Sequence, residues 1–194
     1  MGEISNKTLT VLVILAIIVS IGGTMTLLTK IRPGGATGAA TGLAKVSIVG
    51  LVAISLPVNT VDFGATVQGS SKNTTLNSPA PLTVQNDGGV LVNVSIARDI
   101  SSGWMFNGTG GGDNTNTFRF KIDTNGAEPN SFDYAASTIG WTNVPGTTPI
   151  DDIIAKLNYS DSNDLAEVDL LINVPIDEPL GQKNETLVFV AEQS

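Results

Sequence analysis

From residue 44 onward the apolar positions of the chain recur with a period of two. Val90, Val92, Val94 and Ile96 alternate with Leu91, Asn93, Ser95 and Ala97, and Phe118, Phe120 and Ile122 with Arg119, Lys121 and Asp123. Ile153, Ala155, Leu157 and Tyr159 alternate with Ile154, Lys156 and Asn158. Ala166, Val168, Leu170, Ile172 and Val174 alternate with Glu167, Asp169 and Asn173. Successive side chains of an extended strand point to opposite faces, so each run predicts a strand with one buried and one wet face. Val46, Ile48, Val52, Ile54 and Leu56 predict a long first strand with a single apolar face. The last run, 185–191, is apolar on both phases through Leu187, Val188, Phe189, Val190 and Ala191. It predicts a central strand covered on both sides, the alternative being an edge strand that pairs with another subunit.

Turn residues separate these runs: Asn86-Asp87-Gly88-Gly89, the stretch 108–116, Asn125-Gly126, Pro145-Gly146 and Asp177-Glu178-Pro179. Eight or nine short strands with no helix after residue 32 predict an all-β fold. The expected architecture is an antiparallel β-sandwich, jelly-roll or Ig-like, over 44–194.

The pattern changes before that domain. Twenty residues bounded by Leu9 and Leu28 carry no charge. As a helix they would span roughly 30 Å, the thickness of a bilayer core, and they offer no polar face to water. Residues 1–32 are therefore expected to be a membrane anchor or a signal segment, cut in the second case near Ser20-Ile21-Gly22. A type IV pilin helix is a third option, although no Glu opens the apolar run, and Met1-Gly2-Glu3 stands well upstream of it. Lys7 on one side and Lys30 and Arg32 on the other leave the orientation open. Residues 33–43, opening Pro33-Gly34-Gly35, read as a Gly/Ala/Thr linker. The domain that follows is expected at the cell surface or outside the cell.

Composition narrows the chemistry. Charged residues make up 14% of the chain, against about 25% in ordinary soluble domains. The net charge is −8, and residues 44–194 carry 17 acidic and 7 basic side chains, so nucleic acid is not an expected partner. No His and no Cys are present. That excludes Ser–His–Asp catalysis, thiol nucleophiles, disulfides and Cys- or His-ligated zinc.

Carboxylates are the remaining candidates for catalysis: Asp151-Asp152, Asp161 with Asp164, Glu167 with Asp169, and Asp177-Glu178. A glycosidase needs two of them facing one cleft, one with a raised pKa. Glu167 and Asp169 are expected on a wet face, neither desolvated, so the chain reads as not an enzyme. No cofactor is expected. Calcium is the alternative at Asp113-Asn114-Thr115-Asn116 and Asp161-Ser162-Asn163-Asp164, which cluster oxygen ligands without completing an EF-hand loop. Trp104 and Trp141 would suit a carbohydrate platform if exposed, and otherwise close the end of a core. Asn-x-Ser/Thr acceptors for N-linked glycans stand at Asn73, Asn93, Asn107, Asn158 and Asn184, with a sixth at Asn6 before the apolar run. Asn93 and Asn158 fall on the outward phase of their strands, Asn73 and Asn107 in loops and Asn184 at a strand start.

Several stretches carry a resemblance. They are Val61-Asp62-Phe63-Gly64, Gly69, Pro81-Leu82-Thr83-Val84-Gln85-Asn86-Asp87-Gly88, Val92-Asn93-Val94-Ser95-Ile96, Phe120-Lys121-Ile122-Asp123, Leu157-Asn158-Tyr159-Ser160-Asp161 and Val174-Pro175-Ile176-Asp177-Glu178-Pro179. Together they resemble uncharacterised archaeal surface proteins that pair an N-terminal membrane segment with a β-sandwich ectodomain. The first of them are more loosely similar to WxL-type domains, although 187–191 lacks the Trp-x-Leu element. The architecture is also similar to TasA-like extracellular filament subunits, in which a strand passes to the next subunit. What the resemblance implies is a structural role, with no catalytic residue. The expected function is self-assembly into a surface layer or filament by strand addition, with Val46, Ile48, Val52, Ile54 and Leu56 as the assembly strand. The expected partners are copies of the chain and, through residues 9–28, the membrane. The alternative is a membrane-anchored module that binds surface glycans through the Trp104 and Trp141 loops.

Overall fold

The computed structural model of the chain describes residues 7, 10–20, 49–99, 101, 105–109, 111, 115–146 and 148–194. The chain divides into two units, Met1–Ser47 and Ile48–Ser194. In the first, a helix covers residues 10–20, and the consecutive Val11, Leu12, Val13 and Ile14, which go once round it, are all exposed. Eleven residues rise about 16 Å, roughly half a bilayer core. Among the described residues no helix is long and apolar enough to cross a membrane. Leu9, Leu28 and residues 21–28 of the expected segment lie outside the described residues.

The described residues of the second unit form nine strands, where the periodicity predicts eight or nine: β1 Ile54–Val58, β2 Ser71–Asn73, β3 Leu82–Asn86, β4 Val92–Arg98, β5 Phe118–Thr124, β6 Thr142–Asn143, β7 Ile150–Leu157, β8 Leu165–Asn173 and β9 Leu187–Gln193. They form two antiparallel sheets. One has the order β1-β3-β8-β5-β6, with β2 also paired to β8, and the other the order β7-β4-β9. The inner side chains of both join one hydrophobic cluster, with Val84, Phe120, Ile122 and Val168 from the first sheet and Val92, Val94, Ile96 and Leu157 from the second. Each of these would cost roughly 1.5–3 kcal/mol to leave in water. A three-residue 3-10 turn, Tyr134–Ala136, is the only helical element described after residue 32, and the Asp133 carboxylate accepts from the Ala136 N–H at its start.

β4 and β5 follow the predicted alternation: Val92, Val94 and Ile96, then Phe118, Phe120 and Ile122, are buried, with polar or small residues between them. β7 departs from it. Ile153, Ile154 and Ala155 are all buried, and Tyr159 is exposed rather than inward. The register to β4 runs Val92↔Leu157, Val94↔Ile154 and Ile96↔Ile150, so β7 accommodates extra residues in two bulges. Each bulge holds a left-handed residue, Lys156 at φ 53° and Asp152 at φ 52°. Left-handed backbone costs a non-glycine residue roughly 1–2 kcal/mol, and glycine avoids that cost while giving back part of it in unfolded-state entropy. Lys156→Gly is therefore expected to stabilise the domain by about 0.5 kcal/mol, read as a higher urea midpoint at unchanged slope. A lower midpoint would show that the 3.6 Å ion pair of Lys156 with Asp133, solvent-exposed on both sides, outweighs the strain.

Two further expectations are corrected. The long first strand is short: 49–53 is described without strand structure, β1 begins at Ile54, and Val46 and Ile48 lie outside the described residues. Its predicted inward phase holds, because Val52, Ile54 and Leu56 pack against the core. The last run is an edge rather than a central strand. Among the described strands β9 pairs with β4 alone, and Val188 and Val190 face solvent at 41% and 57% exposure.

The turn after β3 shows why Asn86 is buried. Its amide donates to the carbonyls of Val90 at 2.9 Å and Leu157 at 3.0 Å, while its oxygen accepts the Gly88 N–H at 3.0 Å. One satisfied side chain thus closes the β3–β4 turn and ties β3 in one sheet to β7 in the other. Gly88 is required there, since a Cβ would stand 2.3 Å from the Leu51 carbonyl oxygen.

Candidate functional site

A groove of about 830 Å³ opens onto the core of the second unit. Its apolar lining comes from both sheets, with Leu56 of β1, Leu82 of β3, Phe118 of β5, Ile172 of β8 and Phe189 of β9, together with Phe106. Among the described strands, β1 and β9, which contribute to it, are both edges, each paired on one side only. The sequence marks no site in its first wall, and in its second only the carboxylate Glu178 and the glycan acceptor Asn184.

The first wall is the segment 59–68 after β1. Lys72 holds it by donating to the Phe63 carbonyl at 2.6 Å and the Ala65 carbonyl at 3.0 Å. The Asp62 carboxylate accepts the Gly64 N–H at 2.7 Å, which shapes a turn that Gly64 enters at φ 61°. The second wall is the segment 178–187 before β9. The Gln68 amide joins the two walls by donating to the Glu178 carbonyl at 2.6 Å.

The second wall is fastened by its carboxylates. Glu178 is 3% exposed and accepts the N–H groups of Asn107 at 2.8 Å and Gly108 at 2.7 Å, and it pairs with Lys183. Burial pushes its carboxyl up, but the Lys183 ammonium and the two N–H donors outweigh burial and hold it below the ordinary Glu range. Asp177 accepts both the hydroxyl and the N–H of Thr109, which lowers its carboxyl as well. Glu185 accepts the Met105 N–H at 3.1 Å and lies 3.8 Å from Arg98, both side chains being buried. The sequence presents Asp177-Glu178-Pro179 as a turn and Asp177-Glu178 as a candidate carboxylate pair. The structure adds that its acidic side chains pin the 105–109 loop against the groove wall.

The other candidate groups lie elsewhere. Glu167 and Asp169 are not on a freely wet face. Asp169 is 2% exposed, accepts the Thr74 hydroxyl at 2.6 Å and pairs with Lys121 at 3.1 Å. Burial raises the Glu167 carboxyl, and the negative charges of Asp169 and Asp123 raise it further against the opposing Lys121. The correction has a physical cause: β2 pairs with β8, and Thr74, the residue after β2, sets its hydroxyl against Asp169 and the Leu170 N–H. Neither carboxylate lines the groove.

Asp164 is also buried. Desolvation raises its carboxyl, as do the negative charges of Glu128, Asp161 and Asp87, while a hydrogen bond from Gln85 opposes the rise. Among the described residues no group of three or more acidic side chains is placed to hold a metal ion. Asp113 and Asn114 of the other calcium candidate, and Trp104, lie outside the described residues. Trp141 is half-buried, with the Lys121 ammonium 5.7 Å from its ring centroid and its carbonyl accepting from Arg119. Of the glycan acceptors, Asn73, Asn107 and Asn184 are exposed, Asn93 and Asn158 are half-buried, and Asn6 lies outside the described residues.

No family model, no curated protein and no solved structure matches this chain.

Proposed function

We propose that this chain is a structural cell-surface protein that assembles with copies of itself into a surface layer or filament. The two sheets are read as a β-sandwich, displayed outside the cell by the apolar N-terminal segment. Assembly proceeds by strand addition, in which an extended segment of one copy enters the groove of the next. The observation that carries this reading is the groove itself, which runs from buried and half-buried apolar core residues to β1 and β9, each paired on one side only among the described strands. An extended peptide satisfies both at once. Its backbone pairs with a sheet edge, and its alternate side chains fill the apolar lining.

Val52, Ile54 and Leu56 already pack on their own domain, so the donor narrows to the run through Val46 and Ile48. Charge agrees with contact between one copy's N-terminal part and another's domain. Residues 1–43 carry 3 basic and 1 acidic side chains, against the 7 basic and 17 acidic of residues 44–194. A head-to-tail contact of this kind extends into an open polymer when its rotation does not close a ring.

The test is removal of residues 1–47. The expected result is loss of polymers by electron microscopy and a monomeric elution volume, with the β-rich circular dichroism of the domain retained. Polymers formed by the shortened, folded chain would overturn the reading.

A further inference from the structure

We propose that Asn184 carries an N-linked glycan added to the folded domain, and that the other four described acceptors do not. A transferase must reach the Asn amide nitrogen and bind the hydroxyl two residues on. A sequence held in the fold reaches it only at the free energy of local opening. The five differ in that respect.

Asn93 lies in β4, the middle strand of its sheet, and its side-chain oxygen accepts the Lys156 N–H at the β7 bulge at 3.0 Å. Asn73 is followed by Thr74, which is fully buried with its hydroxyl on Asp169, and the Thr75 hydroxyl is bonded back to Asn73. Asn107, Gly108 and Thr109 each donate their N–H to the carboxylates of Asp177 or Glu178, and the Thr109 hydroxyl is taken by Asp177. Asn158 is half-buried, its N–H on the Ser131 carbonyl and its oxygen on the Tyr159 N–H.

Asn184-Glu185-Thr186 lies outside every strand, and its described contacts run through the buried Glu185 side chain and the Thr186 carbonyl, which accepts the Asp99 N–H at 2.9 Å, while the side chains of Asn184 and Thr186 that the transferase must reach belong to exposed residues. The Asn184 side chain meets only the Gln182 amide, at a long 3.3 Å, among the described hydrogen bonds. Asn184 also lines the groove.

The co-reactant is a lipid-diphosphate-linked oligosaccharide. The Asn184 amide nitrogen forms a bond to the anomeric carbon, the bond from that carbon to phosphate oxygen breaks, the lipid diphosphate leaves, and the amide proton passes to the transferase. No oxidation or reduction is involved. The proposal needs export of the chain but not its assembly, so it stands or falls apart from the polymer reading.

The test is peptide mass mapping of the full chain recovered from the surface of its native cells, with enzymatic glycan release in heavy-oxygen water to tag the occupied Asn. The expected result is a tag at Asn184 alone, lost in Asn184→Gln and in Thr186→Val and kept in Thr186→Ser. An untagged Asn184 overturns the proposal. So does equal tagging of all five acceptors, which would mean that the acceptors are chosen before folding.

Discussion

Phe120→Ala is expected to lower the unfolding free energy of the domain by about 3–5 kcal/mol, the range for deleting a buried aromatic ring from a packed core. Phe120 is fully buried in β5, its backbone in register with Leu170 of β8 and Thr142 of β6, so strands on both sides hold it in place. Total stabilities of small domains are about 5–15 kcal/mol, so this one change removes a large share. Urea denaturation followed by circular dichroism reads the loss. Leu180→Ala, at a position 91% exposed, serves as the control and is expected to stay within about 0.5 kcal/mol of the parent. A Phe120→Ala loss no larger than the control's would mean that the two sheets do not share the core described above.

The second large effect is expected at Glu178. Replacing it by Ala leaves the N–H groups of Asn107 and Gly108 without their acceptor and Lys183 without its counter-charge. Breaking a buried charge-assisted contact on one side costs about 3 kcal/mol. The loss depends on pH in a definite direction. The folded-state carboxyl lies below its ordinary 4.5, so its contribution is complete above that value. As pH falls through the folded value the contribution disappears, because the wild-type side chain is then protonated too. Asp177, also lowered, acts with the same sign, whereas Asp164 and Glu167 are raised and their protonation on acidification relieves the fold. The gap between wild type and Glu178→Ala should therefore be full above the ordinary 4.5 and should narrow as pH falls through the lower folded-state value, measured as urea midpoints. A gap that does not depend on pH would show that packing rather than charge gives Glu178 its effect.

The two kinds of structural expectation fared differently. The strands around Phe118–Ile122 and Val92–Ile96 were legible because alternation is a local property of extended backbone, repeated every two residues wherever one face is dry. β7 was misread in part because the two bulges that let Ile153 and Ile154 both turn inward carry no glycine or proline to mark them. Asp169 was misplaced because its covering groups come from far along the chain, with Thr74 standing 95 residues away. The same applies to the groove, whose walls at 59–68 and 178–187 are joined by Gln68 and Glu178 across 110 residues.

By itself the amino-acid sequence determined that the domain is β-rich, which side chains in β4 and β5 are buried, and where several of the turns fall. It also determined which catalytic chemistries are closed to a chain without His or Cys. Only the tertiary structure decided that β9 is an edge, that β1 and β9 both border an open apolar groove, and that Glu178 and Asp169 are buried and paired. The reason lies in what each feature depends on. Whether a position alternates is settled by its neighbours two residues away. Whether a strand has one partner or two, and whether a carboxylate meets water or an ammonium, is settled by whichever distant segment comes to lie beside it.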